Sequence, residues 1–383
     1  MTNKKPIWAA ALAAAGLVLS ACGTTGGEET AQPEAGASKA CNLEFAFMGP
    51  LTGDYANLGI NAVNGAKLAL DEYNKQNPDC QVVLREFDSQ GDPEKATPLA
   101  SEIVNDQKIV GLAGPMFSGE TNATGEIFNE AKLVTVTPSA TNPDLSKNGW
   151  DTFHRLLGTD EPQGAAAAAY IKDTLKAKKV FVVDDASEYG KFLAGKVEQD
   201  LGDLVAGTDT IQQKQTDFGP TVTKVKASGA DALWFGGYYA EGGLLAKQLK
   251  AGGWKGTFLS GDGVLDPGFI EGAGASAANG AILTCPCAPA DASFTEKYKA
   301  ISGGSDPGTY STEGYDTINV FLQAVAAGKS TRQDMLDWVN NYDADGITKH
   351  IKFDQSGELS EVAIYAYKVE GGKIVPGTQI SGA

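Results

Sequence analysis

Histidine is nearly absent from this chain: its 383 residues contain two, His154 and His350. Neither lies near a cysteine in sequence, so a cysteine–histidine metal site lacks its ligands. General base chemistry would rest on carboxylates. The adjacent acids Asp184-Asp185 end a strand-like run before a helix, where acids suit the helix dipole without catalytic duty. Gly-x-Ser-x-Gly, His-Glu-x-x-His, a Walker lysine loop and a Gly-x-Gly-x-x-Gly following a strand are all missing, which removes the common hydrolase, metalloprotease and nucleotide-binding patterns. Basic residues are scarce, 31 Lys+Arg against 48 Asp+Glu for a formal charge of −17. Such a surface repels nucleic acid and anionic lipid headgroups.

One long apolar run is present, and it comes first. Lys4 and Lys5 precede 13 apolar residues at 7–19, followed by Ser20-Ala21-Cys22. The run is shorter than the roughly 20 residues that span a bilayer. It resembles a bacterial lipoprotein signal (residues 1–21), in which Cys22 is acylated and becomes the mature N-terminus. Removing it leaves 29 basic against 48 acidic residues, a formal −19. Residues 22–40 are rich in Gly, Thr, Glu, Pro and Ser without apolar periodicity and read as a flexible tether. The remaining 343 residues, 41–383, are long for one core and predict two lobes. The chain is expected outside the cytoplasmic membrane, held to it by lipid alone. In an exported chain the even set Cys41, Cys80, Cys285 and Cys287 suggests disulfides. Cys41 and Cys80 each open a strand-like run, and side-by-side parallel strands would bring them to one sheet edge. That pairs Cys41 with Cys80 and leaves Cys285-Pro286-Cys287 as a local bridge.

From residue 42 short β-branched runs alternate with amphipathic stretches. Strands are expected at 43–48, 82–87, 109–113 and 133–137, with helices at 62–75, 93–106 and 120–131 between them. The pattern restarts with helices at 163–176, 189–201, 218–227 and 241–251 and strands at 180–184, 205–211, 232–235 and 257–259. Strands alternating with helices predict an α/β fold of two doubly wound, Rossmann-like lobes with parallel sheets. Helical stretches at 292–301, 314–327 and 332–340 lack strands between them and must pack on a sheet already built. The tail reads as two strands, 351–353 and 362–369, joined by a turn. The expected division is 41–159 with 287–347 as one lobe and 160–286 with 348–383 as the other, joined by a multi-strand hinge over a cleft.

Four loops at strand ends concentrate hydroxyls, glycine, tyrosine and one acid, where doubly wound sheets bind ligands. In Gly114-Pro115-Met116-Phe117-Ser118-Gly119-Glu120, Ser118 stands like an N-cap beside N–H groups able to hold a carboxylate; a serine there also caps a helix with no ligand. Thr137-Pro138-Ser139-Ala140-Thr141-Asn142-Pro143 is pinned by two prolines, leaving the Thr141 hydroxyl and Ser139 carbonyl at its tip, or forming a plain Asn-Pro turn. Gly236-Gly237-Tyr238-Tyr239 brings backbone close and offers two rings with hydroxyl tips, one of which suits packing between lobes. Asp262, between Gly261 and Gly263, is placed to meet a cation, or serves its turn.

These loops, with Gly49-Pro50-Leu51-Thr52-Gly53, Asn64-Gly65-Ala66 and Asp185-x-x-x-Tyr189-Gly190, resemble the leucine/isoleucine/valine-binding proteins. That family has the type I periplasmic binding protein fold and serves branched-chain amino acid ABC transporters. The resemblance implies that Ser118, Thr141 and Tyr238 bind the amino acid carboxylate, and that the Ser139 carbonyl, Thr141 hydroxyl and Asp262 meet its ammonium. Tyr189, Phe117, Met116 and Tyr310 would form the side-chain pocket. The family commonly has glutamate where Asp262 stands, an aromatic where Leu58 stands (with Tyr55 nearby), and a typical cysteine pair within the first lobe that is replaced here by cysteines at other positions.

The function so implied is a lipid-anchored, monomeric binding protein, without cofactor, metal or enzymatic activity. It would capture a branched-chain or related aliphatic amino acid and deliver it to an ABC permease. The same fold also suits a short amide, urea or small aromatic acid, or a ligand sensor feeding a membrane kinase. An extracellular hydrolase would need a nucleophile–base set that the sequence does not offer.

Overall fold

The computed structural model describes residues 42–382. Residues 1–41, which hold the signal, the tether, Cys22 and Cys41, lie outside the described part. Within it the chain runs β1 (Glu44–Gly49), α1 (Ala56–Gln76), β2 (Val83–Asp88), α2 (Pro93–Asn105), β3 (Ile109–Ala113), α3 (Ser118–Glu130), β4 (Val134–Thr137) and β5 (Phe153–Arg155). These strands form one parallel sheet in the order β2-β1-β3-β4-β5. The sequence Ile-Val-Gly-Leu-Ala of β3 is buried throughout, as a strand covered on both faces requires.

A second set follows: α4 (Asp160–Ala169), β6 (Val180–Asp184), α5 (Glu188–Leu201), β7 (Val205–Thr210), α6 (Gly219–Ser228), β8 (Ala232–Gly236), α7 (Tyr239–Ala251), β9 (Thr257–Ser260), α8 (Pro267–Ala273), α9 (Ala275–Ala278) and β10 (Ile282–Cys285). Then come α10 (Ala292–Ile301), α11 (Ser311–Ala326), α12 (Arg332–Asn340), β11 (Asp343–Asp345), β12 (His350–Lys352), β13 (Ile364–Glu370) and β14 (Lys373–Ser381). The second sheet has the order β14-β13-β10-β9-β8-β6-β7, parallel except where β13 meets β10 and β14. The architecture is two doubly wound α/β units.

The late helices return to the first sheet. Gly65 of α1 and Gly314 of α11 make that docking possible: a Cβ on the first would sit 1.9 Å from the Ser311 carbonyl, and on the second 2.0 Å from the Ala62 carbonyl. Phe321 of α11 lies over Gly111 of β3 and 5.2 Å from the Phe45 ring. The Arg332 guanidinium opens α12 by donating to the carbonyls of Val104, Asp106 and Ile109. The chain passes between the two sheets' units three times, between β5 and β6, between β10 and α10, and between α12 and β13.

Three readings of the sequence need correction. β10 was not anticipated, because four residues after a Gly/Ala-rich stretch carry no periodic signal; it is specified by β9 on one side and β13 on the other. The tail keeps its two strands and the 355–358 turn, where Phe353 and Leu359 form an antiparallel bridge. β12 pairs with β11, and β13 with β10 and β14. β14 itself was missed: Pro376 lacks an N–H and reads as a breaker, but an edge strand tolerates it. The β13–β14 turn is Gly371-Gly372, with φ of +58° and +77°, values that suit a two-residue hairpin. The helix expected through Lys176 is α-helical to Ala169 and π-helical over Tyr170–Leu175.

The sulfurs of Cys285 and Cys287 lie at bonding distance, with Cα atoms 5.0 Å apart, at the second crossing. Cys80 is buried. Among the described residues no helix is long and apolar enough to cross a membrane.

Candidate functional site

Each of the four loops follows the carboxyl end of a parallel strand: β3, β4, β8 and β9. All nine residues singled out as ligand-binding are buried. Seven of them, Phe117, Ser118, Ser139, Tyr189, Tyr238, Asp262 and Tyr310, line one small cavity of about 10 Å³, the room of roughly one water molecule. An amino acid enters only if the walls move.

The other two lie elsewhere. Met116 packs against Gly49 of β1, and its carbonyl accepts the Ser139 hydroxyl at 2.6 Å. Consecutive residues of an extended loop face opposite ways, so Phe117 reaches the cavity and Met116 the core. Thr141 is fully buried beside Asp160, behind the cavity wall. Ser118 also departs from its expected place. Helix α3 begins with it, so Phe117 stands at the N-cap. Glu120 supplies the capping from inside the helix, its carboxylate accepting the Phe117 N–H at 2.8 Å. The Ser118 hydroxyl instead accepts the Asn142 N–H at 3.3 Å, tying two of the loops together.

Asp262 is the hub. Its Oδ1 accepts Gln163 Nε2 at 2.7 Å and the Tyr189 hydroxyl at 2.9 Å, and its Oδ2 accepts the Tyr310 hydroxyl. Tyr189 in turn accepts the Gly263 N–H at 3.1 Å. Burial pushes the Asp262 carboxyl up from the usual carboxylate range, and the three donors pull it back.

Sequence reasoning missed four contributors. Asp160, at the start of α4, is fully buried, with the Thr141 hydroxyl and the Arg155 guanidinium as its neighbours. Burial and the nearby Asp262 push its carboxyl well above the usual range, while Thr141 and Arg155 oppose that shift. Gln163, three residues on, donates to Asp262 and to the Thr284 carbonyl at 3.2 Å, leaving its own Oε1 unpartnered. Arg155 at the end of β5 is fully buried. It holds the Thr141 loop by donating to the carbonyls of Ala140 and Asn142 at 2.8 and 3.0 Å, and pairs with Glu358 at 2.7 Å. The fourth is Tyr55 rather than Leu58: its ring lies 4.9 Å from Tyr238 and 6.0 Å from Phe117. The Asp160-Glu161-Pro162-Gln163 helix start was the only sequence signal for the first two.

Tyr238 stacks on Phe117 at 4.5 Å and lies 5.3 Å from Tyr189. Its hydroxyl is pushed up by burial, then by Asp185, Tyr55 and Glu120 around it. Asp185 and Glu120 are themselves raised to about 7, chiefly by burial. The glycines of this loop do bring backbone close. A Cβ on Gly236 would sit 2.3 Å from the Gly190 carbonyl, so strand β8 and helix α5 touch there.

Contacts across the cleft join the first sheet's unit to the second's. The Tyr55 hydroxyl donates to Glu241 at 2.9 Å, Asn57 Nδ2 to Asp266 at 2.7 Å and Asn142 Nδ2 to the Glu188 carbonyl at 3.0 Å. With Tyr310 on Asp262, they close the space between the units.

Residues 43–373 match the family described as periplasmic binding protein. The chain is 32% identical to the Leu/Ile/Val-binding protein BraC3 of Rhizobium johnstonii over 348 residues, 87% of this chain and 93% of that one. It is 29% identical to the leucine-specific-binding protein of Salmonella typhimurium, over the same shares of the two chains. Among solved structures it resembles the substrate-binding protein LivJ of Streptococcus pneumoniae in complex with isoleucine, with a TM-score of 0.83 and 25% identity, over 89% of this chain and 99% of that one.

Proposed function

This chain belongs to the periplasmic binding protein family, and on that premise we propose that it captures a branched-chain or related aliphatic amino acid in the cleft and delivers it to an ABC permease. The observation that carries the reading is a surplus of buried acceptors. Gln163 Oε1 has no donor, and the buried Asp160 carboxyl has no hydrogen-bond donor beyond its neighbour Thr141. The nearby cation Arg155 donates to Ala140, Asn142 and Glu358 and leaves its Nε over. Leaving such groups unpaired costs about 1–3 kcal/mol each, and a ligand bearing an ammonium supplies three N–H donors at once.

The opposite charge goes to the Ser118 end. There the first N–H groups of α3 and the Ser118 hydroxyl face a carboxylate, with the Tyr238 hydroxyl joining from the second unit. A zwitterion leaving water needs both charges met, and the two groups of anchors stand on different units. Ligand therefore favours the closed arrangement by contacts that the open one lacks. Burial of a leucine-sized side chain contributes about 1.5–3 kcal/mol. A micromolar dissociation constant needs roughly −8 kcal/mol, so closure and the polar anchors supply the remainder.

In the same reading the lobes are 41–159 with 287–347 and 160–286 with 348–383. Cys22 carries the lipid, and the disulfides are Cys41–Cys80 and Cys285–Cys287. The permease recognises the closed form. Calorimetry with leucine, isoleucine and valine tests the reading. It expects a binding isotherm for at least one of them, and heats indistinguishable from dilution for all three would overturn it.

A further inference from the structure

The 10 Å³ cavity is too small for any amino acid side chain, and among its walls one residue has open space behind it. Tyr310 lines the cavity and also a separate groove of about 760 Å³. The groove is walled on its apolar side by Ile60, Ile270, Pro267, Pro289 and Pro307. Ile60 is 41% exposed, one of the two large hydrophobic residues most open to solvent among the described residues. The other aromatic walls of the cavity, Phe117, Tyr189 and Tyr238, do not border the groove.

Tyr310 itself is buried and makes one side-chain hydrogen bond. It has φ of +70°, a left-handed conformation unusual for a bulky residue, and it stands at the N-cap of α11 after Pro307-Gly308-Thr309. Its ring is fixed at the far end by its hydroxyl on Asp262. A ligand ammonium arriving at Asp262 competes for that carboxylate. Once the hydroxyl is displaced, nothing in the hydrogen-bond pattern of the described residues holds the ring between the two spaces.

We propose that Tyr310 is a partition and that the groove is the second compartment of the ligand site, receiving the far end of an aromatic α-amino acid whose side chain outgrows the inner cavity. This rests on the amino acid reading above and extends it from aliphatic to aromatic side chains. Proline rings and branched aliphatic side chains suit the face of an aromatic ring, and Tyr310 is the wall that the groove and the cavity share.

Calorimetry of the purified protein with L-leucine, L-phenylalanine and L-tryptophan, with melting temperatures to verify folding, decides it. Tyr310→Ala is expected to shift the phenylalanine-to-leucine affinity ratio at least tenfold toward phenylalanine. Tyr310→Phe, which keeps the ring and removes its tie to Asp262, should shift it in the same direction by less. Ile60→Trp fills the groove and should weaken phenylalanine and tryptophan at least tenfold while leucine is unchanged. If leucine binds and the ratio stays fixed across the variants that fold, the partition is overturned and the amino acid reading survives. If the unsubstituted protein binds no amino acid, the reading beneath it fails instead.

Discussion

Tyr310 and Asp262 meet across the cleft, the phenol of one donating to the Oδ2 of the other. The contact joins the N-terminus of α11, docked on the first sheet, to the turn that follows β9 in the second. The contact helps to close the empty protein, and it ties up the carboxylate that the proposed function assigns to a ligand cation.

Substituting that carboxylate separates the two roles. Asp262→Ala should lose amino acid binding by two orders of magnitude or more, in line with the about 2–5 kcal/mol at stake when a buried charge partner is removed. Its circular dichroism should be unchanged. Undiminished affinity by calorimetry would sink the ammonium assignment.

Asp160 should behave differently. Burial and Asp262 push its carboxyl up against the pull of Thr141 and Arg155, so Asp160→Asn removes an acid whose ionisation its surroundings oppose. Leucine affinity should fall at least tenfold, while the melting temperature of the ligand-free protein at pH 8 holds or rises. A variant that binds leucine normally would remove Asp160 from the site.

Stability should depend on pH in a direction the buried acids set. Glu120 and Asp185 are raised to about 7 in the folded protein, while unfolded carboxyls titrate near 4. The folded state thus holds more protons through that window, and stability falls as pH rises from about 4 to about 7. The melting temperature of the ligand-free protein should be higher at pH 5.5 than at pH 8, and Glu120→Gln should flatten part of the slope. A melting temperature that climbs over this range would contradict the assignment.

The Tyr55–Glu241 hydrogen bond spans the units without lining the small cavity. Tyr55→Phe keeps the ring that packs on Tyr238 and removes the cross-cleft bond. We expect a three- to tenfold weaker affinity, carried by faster dissociation in stopped-flow displacement, with little change in melting temperature. Equal dissociation rates would show that the bond contributes nothing to closure.

Mass spectrometry of the unreduced, exported protein bears on the cysteines. No free thiols among Cys41, Cys80, Cys285 and Cys287, with peptides linked in those pairs, is the expected result; four free thiols would exclude both bridges.

How far the sequence reached depended on how local each signal was. Strands and helices of the two sheets announce themselves by periodicity, and loops at parallel strand ends collect ligand groups wherever the sheet places them. Phe117, Ser118, Ser139, Tyr238 and Asp262 stand in such loops, while Tyr189 and Tyr310 are expected only from the family resemblance. Asp160 and Gln163 were not legible, because Gln163 acquires its role by meeting Asp262, 99 residues away in sequence. Arg155 reads as an ordinary strand residue until Ala140, Asn142 and Glu358 fold around it. Met116 and Phe117 are chemically interchangeable neighbours in the sequence, and only the direction of the loop backbone tells which one faces the cavity. The edge strand β14 stayed hidden because its signal is broken at Pro376-Gly377.

That break has a colloidal consequence. A sheet ending in an unpaired strand offers its free N–H and C=O groups to any neighbour, and molecules crowded together would zip edge to edge. β14 is the exposed border of the second sheet, and Pro376 removes a donor from the middle of it. Two copies brought side by side find an interrupted ladder instead of a template. The irregularity that obscured this strand in the sequence also interrupts the ladder that edge-to-edge pairing of two copies would need.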